Sequence, residues 1–342
     1  MTEQHEERLA IRTGMLARPL LARRLDGAFG KRLIVVTADA GFGKTSLLRM
    51  WAADLEHAWY TLTAADRELE TLVRGVAASV LQALPHLGAL SAGATAEPVD
   101  AEAEAAWICR TLATDVAHDF MLVLDDVHEL GADTDAAYFV ESLCRQASPN
   151  VHVVLASRAE PPFRIERLRG RGEVLELNAR VLAFDTEEVS TLVHAVTGAD
   201  EMELVADLVA ATGGWPAAVR LALDSLENEA DPARRTAMFT KAFRPGGDVY
   251  AYLAGEALAD ATEPVRELLR RLSPFDRISV ELCTALGVPD TEEAMAALLK
   301  RGLVAELPDG GQMIHALVRE FARLTWPLEA DEARRVHRTA AV

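Results

Sequence analysis

Residues 33–50 read LIVVTADAGFGKTSLLRM. Leu33 to Thr37 is a short apolar, β-branched run, the pattern of a buried strand. A turn of small residues follows, then Gly41-Phe42-Gly43-Lys44-Thr45, and Ser46 to Met50 continues as a helix. Strand, glycine loop and helix in this order make a P-loop, a phosphate-binding element. Glycines let the backbone turn its N–H groups inward as an anion nest. The helix N-terminus adds partial positive charge. Lys44 is expected to reach the β- and γ-phosphates, and the Thr45 hydroxyl to ligate Mg²⁺. Gly41, Phe42, Gly43, Lys44, Thr45 and Ser46 are therefore the expected phosphate-binding set. Ala38 stands where the motif usually opens with glycine, so the loop reads ADAGFGKT. The residues nearest the phosphates are intact. The competing reading is a glycine turn before an ordinary helix.

Outward from this stretch, apolar runs and helical periods alternate. Arg18-Pro19 opens a loop and short amphipathic helix over 16–29. Strands are expected at 57–62, 120–125, 151–156 and 173–177. Helices are expected at 66–84, 100–117 and 134–147, and the Gly/Ala/Pro-rich 85–99 reads as a surface loop. Strands apolar throughout, alternating with helices, imply an α/β fold: a parallel sheet covered on both faces.

The pattern changes near residue 180. Asp185 with Glu188 three residues on marks a helix start. From there to about 300 only helices are expected, with Pro216 and Pro264 placed in first turns. Residues 303–307 and 312–314, around Pro308-Asp309-Gly310-Gly311, read as a hairpin before a helix at 316–325. Helices plus one hairpin suggest a winged-helix unit. The expected organisation is a P-loop domain over 1–180, a helical domain over 181–262, a winged-helix domain over 263–328, and the start of a further helical region over 329–342.

Composition limits the function. Half of the 342 residues are hydrophobic, enough for sizeable cores. A formal charge of −18 argues against a broad nucleic-acid or anionic membrane surface. No apolar run approaches a membrane span, and the charged start MTEQHEERLA has no signal-peptide h-region. Cys109, Cys144 and Cys283 lack metal-ligand spacing and read as reduced thiols of a cytoplasmic protein.

Asp125-Asp126 closes the apolar run 120–125, the Walker B pattern. Asp125 is expected to hold Mg²⁺ with Thr45, and Asp126 to orient or deprotonate an attacking water. Capping of the next turn is the other reading of two acids at that point. Arg158 follows the fourth strand, where ligands sit in parallel sheets, and is read either as a γ-phosphate sensor or as one half of a structural salt bridge. His315 opens the last helix after the hairpin and by itself reads more readily as a packing residue.

Six stretches together carry a family resemblance: TADAGFGKTSLLRMW (37–51), LVLDDVHEL (122–130), LASRAEPPFRIERLRGRGEVLEL (155–177), LAFDTEEV (182–189), TGGWPAAVRLA (212–222) and MIHALVREFA (313–322). In sequence and order they resemble the STAND class of signalling ATPases, in particular the MalT-like regulators of the LuxR family. The resemblance covers roughly residues 15–325. It implies an ATP/ADP-binding switch with Mg²⁺, built from a P-loop domain of the ASCE division, a helical domain and a winged-helix domain around the nucleotide. It further implies slow hydrolysis, and a closed ADP form that opens and self-associates with ATP and an inducer. Gly214-Trp215-Pro216 matches the GxP motif, where Pro216 would pack on the adenine. His315 matches a histidine that touches the ADP β-phosphate. Arg18 joins the nucleotide-binding set at the N-terminal end, and Lys44, Asp125, Asp126 and Arg158 form the expected catalytic set. Family members continue into a helical-repeat sensor and a LuxR-type helix-turn-helix, so the chain reads as the switch of a longer protein or as a natural short form, with no DNA-binding domain in these residues. A P-loop kinase, a faster ATPase and a nucleotide-stabilised scaffold are the rival functions.

Overall fold

Five parallel strands organise the first part of the chain: β1 (Leu33–Thr37), β2 (His57–Thr61), β3 (Phe120–Asp125), β4 (Val151–Ser157) and β5 (Val174–Asn178). They lie in the order β2-β3-β4-β1-β5 in a computed structural model of the chain. The model describes residues 16, 18–87, 100–226, 229, 231–242, 244, 247–252, 255, 258, 261–275, 277–288, 291–300, 303–306, 312–314 and 316–340. The strands carry Val, Ile and Leu because every residue of β1, β3 and β4 is buried, whereas edge strands β2 and β5 are only partly so. Leu33 sits opposite Val153 of β4 on one side and Val174 of β5 on the other. β4 thus separates β1 from β3. At one strand spacing per step, the ends of the P-loop strand and the Asp125 strand lie about 10 Å apart.

The helices of this part are α1 (Pro19–Asp26), α2 (Lys44–Ala52), α3 (Leu69–Ala83), α4 (Ala101–Asp115), α5 (Asp135–Gln146) and α6 (Glu166–Gly170). On one side of the sheet Leu33, Val35, Leu122, Leu124, Val153 and Leu155 share a core with Leu72, Val76 and Val80 of α3, Ile108 and Leu112 of α4, and Phe139 and Leu143 of α5. Ile34, Val36, Met121, Val123 and Val154 on the other side are equally buried. The helix expected from residue 66 begins differently: a 3₁₀ turn spans Ala64–Arg67 and α3 starts only at Leu69. Asp66 explains the break. Its carboxylate accepts hydrogen bonds from the Thr63 amide (2.7 Å), the Thr63 hydroxyl (2.9 Å) and the Tyr60 hydroxyl (2.5 Å). These bonds fix a cap where helical periodicity alone indicates continuation. Residues 88–99 of the expected surface loop lie outside the described residues.

The chain divides into two compact units. The first comprises Arg18–Ala38 and Lys44–Asn178; the second takes the chain from Ala179 onward together with the loop Asp39–Gly43. The second unit holds α7 (Ala179–Leu182), α8 (Thr186–Thr197), α9 (Met202–Thr212), α10 (Pro216–Asp224), α11 (Pro232–Ala242), α12 (Asp248–Tyr252), α13 (Glu263–Leu272), α14 (Val280–Ala285), α15 (Thr291–Lys300), α16 (Ala316–Thr325) and α17 (Ala330–Ala340). The reciprocal Asp185–Glu188 capping box is formed, with bonds of 2.9 and 3.0 Å, so α8 starts where the sequence places it. Two short strands, β6 (Val304–Glu306) and β7 (Gln312–Ile314), pair antiparallel, and Ile278 bridges to Gln312 beside them. This is the helix and hairpin arrangement of a winged-helix unit. Arg270 of α13 makes a paired hydrogen bond to Glu332 of α17, 2.7 Å to each oxygen. No helix among the described residues is long and apolar enough to cross a membrane.

Candidate phosphate-binding site

Within the sheet unit, β1 and α2 place Lys44 and Thr45. Lys44 is 7% exposed and its Nζ donates to the Ala38 carbonyl at 2.7 Å, across the mouth of the loop. A buried ammonium is tolerated only with such acceptors. Thr45 Oγ1 donates to Asp125 Oδ2 at 2.9 Å, joining residues 80 positions apart across the intervening β4. The other oxygen, Oδ1, accepts the Asp126 amide at 3.0 Å. Asp125 is 3% exposed. Burial pushes its carboxyl above the ordinary value, an effect opposed by the Thr45 hydrogen bond and by Lys44.

Thr45 and Asp125 fit a hard divalent cation. Both offer oxygen, and a cation beside the buried carboxylate offsets its desolvation. Among the described residues no group of three or more His, Cys, Asp and Glu could hold a metal ion. The pair would therefore hold Mg²⁺ only with phosphate and water oxygens completing the shell, as Mg²⁺ prefers.

Asp126 adopts a left-handed backbone, φ 59° and ψ 39°. Aspartate is one of the few residues that visits this region, at a cost of about 1–2 kcal/mol. The strain separates its direction from that of Asp125: one acid is buried, the other half open to solvent. Asp126 also begins a 3₁₀ turn over Val127–Glu129, whose His128 lies beside it. His128 is not in the set expected from the sequence, although DDVH is contiguous; a lone histidine after two acids carries no spacing signal. Arg158 directly follows β4 and forms no ion pair among the described residues. Arg158 and Lys44 both lie close enough to disfavour a charged His128. Ser46 is exposed on α2. Arg18 is partly buried at the start of α1, and its carbonyl accepts from the Ala22 amide at 2.9 Å.

The loop apex is held within the second unit. Gly41 and Gly43 have φ of 77° and 75°, the left-handed region that favours glycine. A Cβ at Gly41 would also collide with the Tyr252 hydroxyl and the Ala217 methyl. The Ala217 amide donates to the Gly41 carbonyl at 3.0 Å, and Trp215 Nε1 donates to the Ala40 carbonyl at 3.2 Å. The Trp215 ring stacks on Phe42 at 5.9 Å and meets Tyr252 edge-on at 5.6 Å. Trp215 is 3% exposed, and Pro216, at the first position of α10, is buried too. The segment 213–217 is shaped for this. Gly213 ends α9 in the left-handed region, and a Cβ at Gly214 would overlap the Phe184 carbonyl. The Phe184 amide donates to the Gly214 carbonyl at 2.8 Å. The sequence reading placed Trp215-Pro216 in the nucleotide set but did not foresee that the indole grips the phosphate loop. His315 lies outside the described residues.

Two family models match the chain. The AAA ATPase domain covers residues 13–156, and the MalT winged helix domain covers residues 254–334. The HTH-type transcriptional regulator MalT of Vibrio campbellii is 26% identical over 345 residues, covering 96% of this chain and 37% of that protein. Its counterpart from Klebsiella pneumoniae subsp. pneumoniae is 28% identical over 342 residues, covering 95% and 37%. The chain thus spans little more than a third of the length of these relatives. Among solved structures, the Walker-type ATPase paby2304 of Pyrococcus abyssi superposes with a TM-score of 0.56 at 14% identity, over 90% of this chain and 95% of that one, a likeness of fold. With an AAA ATPase domain model followed by a MalT winged helix domain model, and MalT regulators matching along nearly its whole length, the chain is similar to the MalT-like P-loop ATPases.

Proposed function

We propose that this chain is an adenine-nucleotide switch in which ADP favours a closed form and ATP an open, self-associating one. Hydrolysis is slow and resets the switch. In this reading Lys44, with Gly41, Phe42, Gly43 and Ser46, binds the phosphates; Thr45 and Asp125 hold Mg²⁺; Asp126 acts on the water; Arg158 senses the γ-phosphate. Pro216 contacts the adenine, while Arg18 and His315 complete the nucleotide contacts. The domain limits proposed are a P-loop domain to 180, a helical domain to 262 and a winged-helix domain to 328.

One observation carries the reading: the backbone of the phosphate loop is hydrogen-bonded to the GxP segment, through Gly41 to Ala217 and through Ala40 to Trp215. A loop that merely cradled phosphates would not need partners from another part of the chain. A loop gripped there couples what it binds to how that part packs, and a ligand with different affinity for two arrangements shifts their populations. Transcriptional control belongs to the proposal because the matched relatives are named as HTH-type regulators. The winged-helix unit acts mechanically rather than on DNA: in α16, Glu320 pairs with Arg323 at 3.6 Å and offsets one of its cations.

The test is the nucleotide that co-purifies with the chain, identified by acid extraction and chromatography, followed by competition and turnover assays. ADP in the preparation, preference for adenine over guanine, turnover in minutes and a larger assembly with a non-hydrolysable ATP analogue are expected. Equal guanine binding removes the adenine assignment. Many turnovers per second make the chain an ordinary ATPase.

A further inference from the structure

A solvent-open cavity of about 660 Å³ lies in the sheet unit, lined by Glu141 and Arg145 of α5 and by Arg164, Glu166, Arg167 and Arg171 around α6. Leu168 alone among its lining residues is apolar. Both walls lead into the first residues of strands, α5 into β4 and α6 into β5, whereas Lys44 and Thr45 follow the last residue of β1. In a parallel sheet these are opposite ends, about 16 Å apart along a five-residue strand. Arg164, Arg167 and Arg171 recur at spacings of three and four residues, so one face of the turn presents them together. Arg169, on the same turn, is held instead by Glu160 at 2.9 Å and Glu176 at 2.6 Å. Among the described residues the guanidiniums of Arg164, Arg167 and Arg171 make neither an ion pair nor a hydrogen bond, although the chain carries a formal charge of −18. The walls are fixed: Lys31 Nζ donates to the Gly172 carbonyl at 2.6 Å, Arg32 Nη1 to the Arg145 carbonyl at 2.8 Å, and Arg145 Nη2 to Glu102 Oε1 at 2.6 Å.

We propose that this cavity is a second anion site, which takes a small phosphorylated molecule bearing hydroxyl groups, of the sugar phosphate class. The guanidinium fork matches phosphate oxygens and can bind them in pairs. A phosphate monoester carries about −1.5 to −2 at neutral pH, which three open guanidiniums neutralise. Glu141 and Glu166 set the rest of the ligand. They repel a second phosphate nearby, and as acceptors without a donor of their own they call for O–H groups. The cavity is of the size that small-molecule sites have, and inorganic phosphate would leave most of it to water. A nucleobase would need an apolar slot, which Leu168 by itself does not make. The inference is independent of the nucleotide reading, because no lining residue belongs to the nucleotide-binding set.

The experiment titrates the full chain by calorimetry with glycerol 3-phosphate, ribose 5-phosphate and glucose 6-phosphate, and with inorganic phosphate, glucose and poly-glutamate as controls. A thermal melt checks the fold of each variant. At least one of the three phosphorylated probes is expected to bind at least about tenfold more tightly than inorganic phosphate, with no heat from glucose. Arg167→Gln and Arg171→Gln should each weaken that probe about tenfold, the loss of a charge-assisted pair, and Arg167→Lys, which keeps charge without the fork, about threefold. Glu141→Ala and Glu166→Ala should each narrow the preference for the probe over inorganic phosphate about fivefold, because the hydroxyl contacts go and the phosphate contacts stay. Lys44→Ala should bind the probe as wild type does. The proposal is overturned if no phosphorylated probe exceeds inorganic phosphate, the result for solvated surface charge, or if binding survives in folded Arg167→Gln and Arg171→Gln chains. Binding of poly-glutamate without the sugar phosphates also overturns it and makes the groove a dock for an acidic segment. Loss of the probe in Lys44→Ala places it in the phosphate loop and overturns the second site. Absence of ADP binding by the wild-type chain removes the nucleotide reading and leaves this one standing.

Discussion

Replacing Trp215 tests whether the grip on the phosphate loop matters to the nucleotide. Trp215→Ala deletes three contacts at once: the Nε1 hydrogen bond to the Ala40 carbonyl, the stack on Phe42 and the edge contact with Tyr252. For folding, truncating a tryptophan that is 3% exposed is expected to cost about 3–5 kcal/mol. For the loop, the relevant quantities are the hydrogen bond, about 0.5–1.5 kcal/mol, and the aromatic stack, about 0.5–1.5 kcal/mol. Together they hold the apex in its shape with about 1–3 kcal/mol, which a nucleotide must otherwise supply on binding. ADP affinity should therefore fall by about 5- to 150-fold in Trp215→Ala. Trp215→Phe retains a ring against Phe42 and loses only the N–H, so it should lose about two- to tenfold. Displacement of a fluorescent ADP, measured below the melting temperature of each variant, reads the affinity, and urea unfolding reads the stability separately. If both variants, folded, bind ADP within about twofold of wild type, the indole serves packing alone and coupling through the loop is wrong.

Lys44→Ala is expected to abolish tight nucleotide binding, because its buried ammonium is the charge at the loop mouth, whereas Asp126→Ala should preserve binding and slow hydrolysis by about 10²- to 10⁴-fold. Calorimetry and single-turnover assays separate these effects, and equal loss of binding in both variants would remove the division of roles. The contact of α17 with α13 should depend on pH. Hydrogen bonds from Arg270 hold the Glu332 carboxyl below its ordinary value, and those from Arg270 and Arg271 do the same for Glu267. A depressed folded pKa means that the stabilisation is fully present above the ordinary carboxylate value, near 4.3, and is lost as pH falls through the depressed one. Amide exchange over 330–340, corrected for intrinsic rates, should be protected at pH 6 and lose that protection below about pH 4. Glu332→Gln should show the weakened protection already at pH 6.

The fold was legible because its signals are local and repeated. Short, largely apolar and β-branched runs at 33–37, 120–125 and 151–156 read as strands buried on both faces, and helical periods between them fit parallel crossovers. The P-loop is legible for the same reason: glycine, lysine and threonine at fixed offsets between a strand and a helix are a short-range pattern. Asp185 with Glu188 and Pro216 likewise act within a turn of where they stand. Residue order alone does not place groups distant in the chain. That β4 inserts between β1 and β3, and that Thr45 nevertheless bonds Asp125 across 80 residues, follows from sheet order. The left-handed turn that swings His128 over Asp126 depends on backbone strain that aspartate tolerates but does not announce. The indole of Trp215 on the Ala40 carbonyl joins segments 175 residues apart. Burial leaves the carbonyls of a glycine-rich apex needing donors, and only packing of the folded chain determines which side chain supplies them.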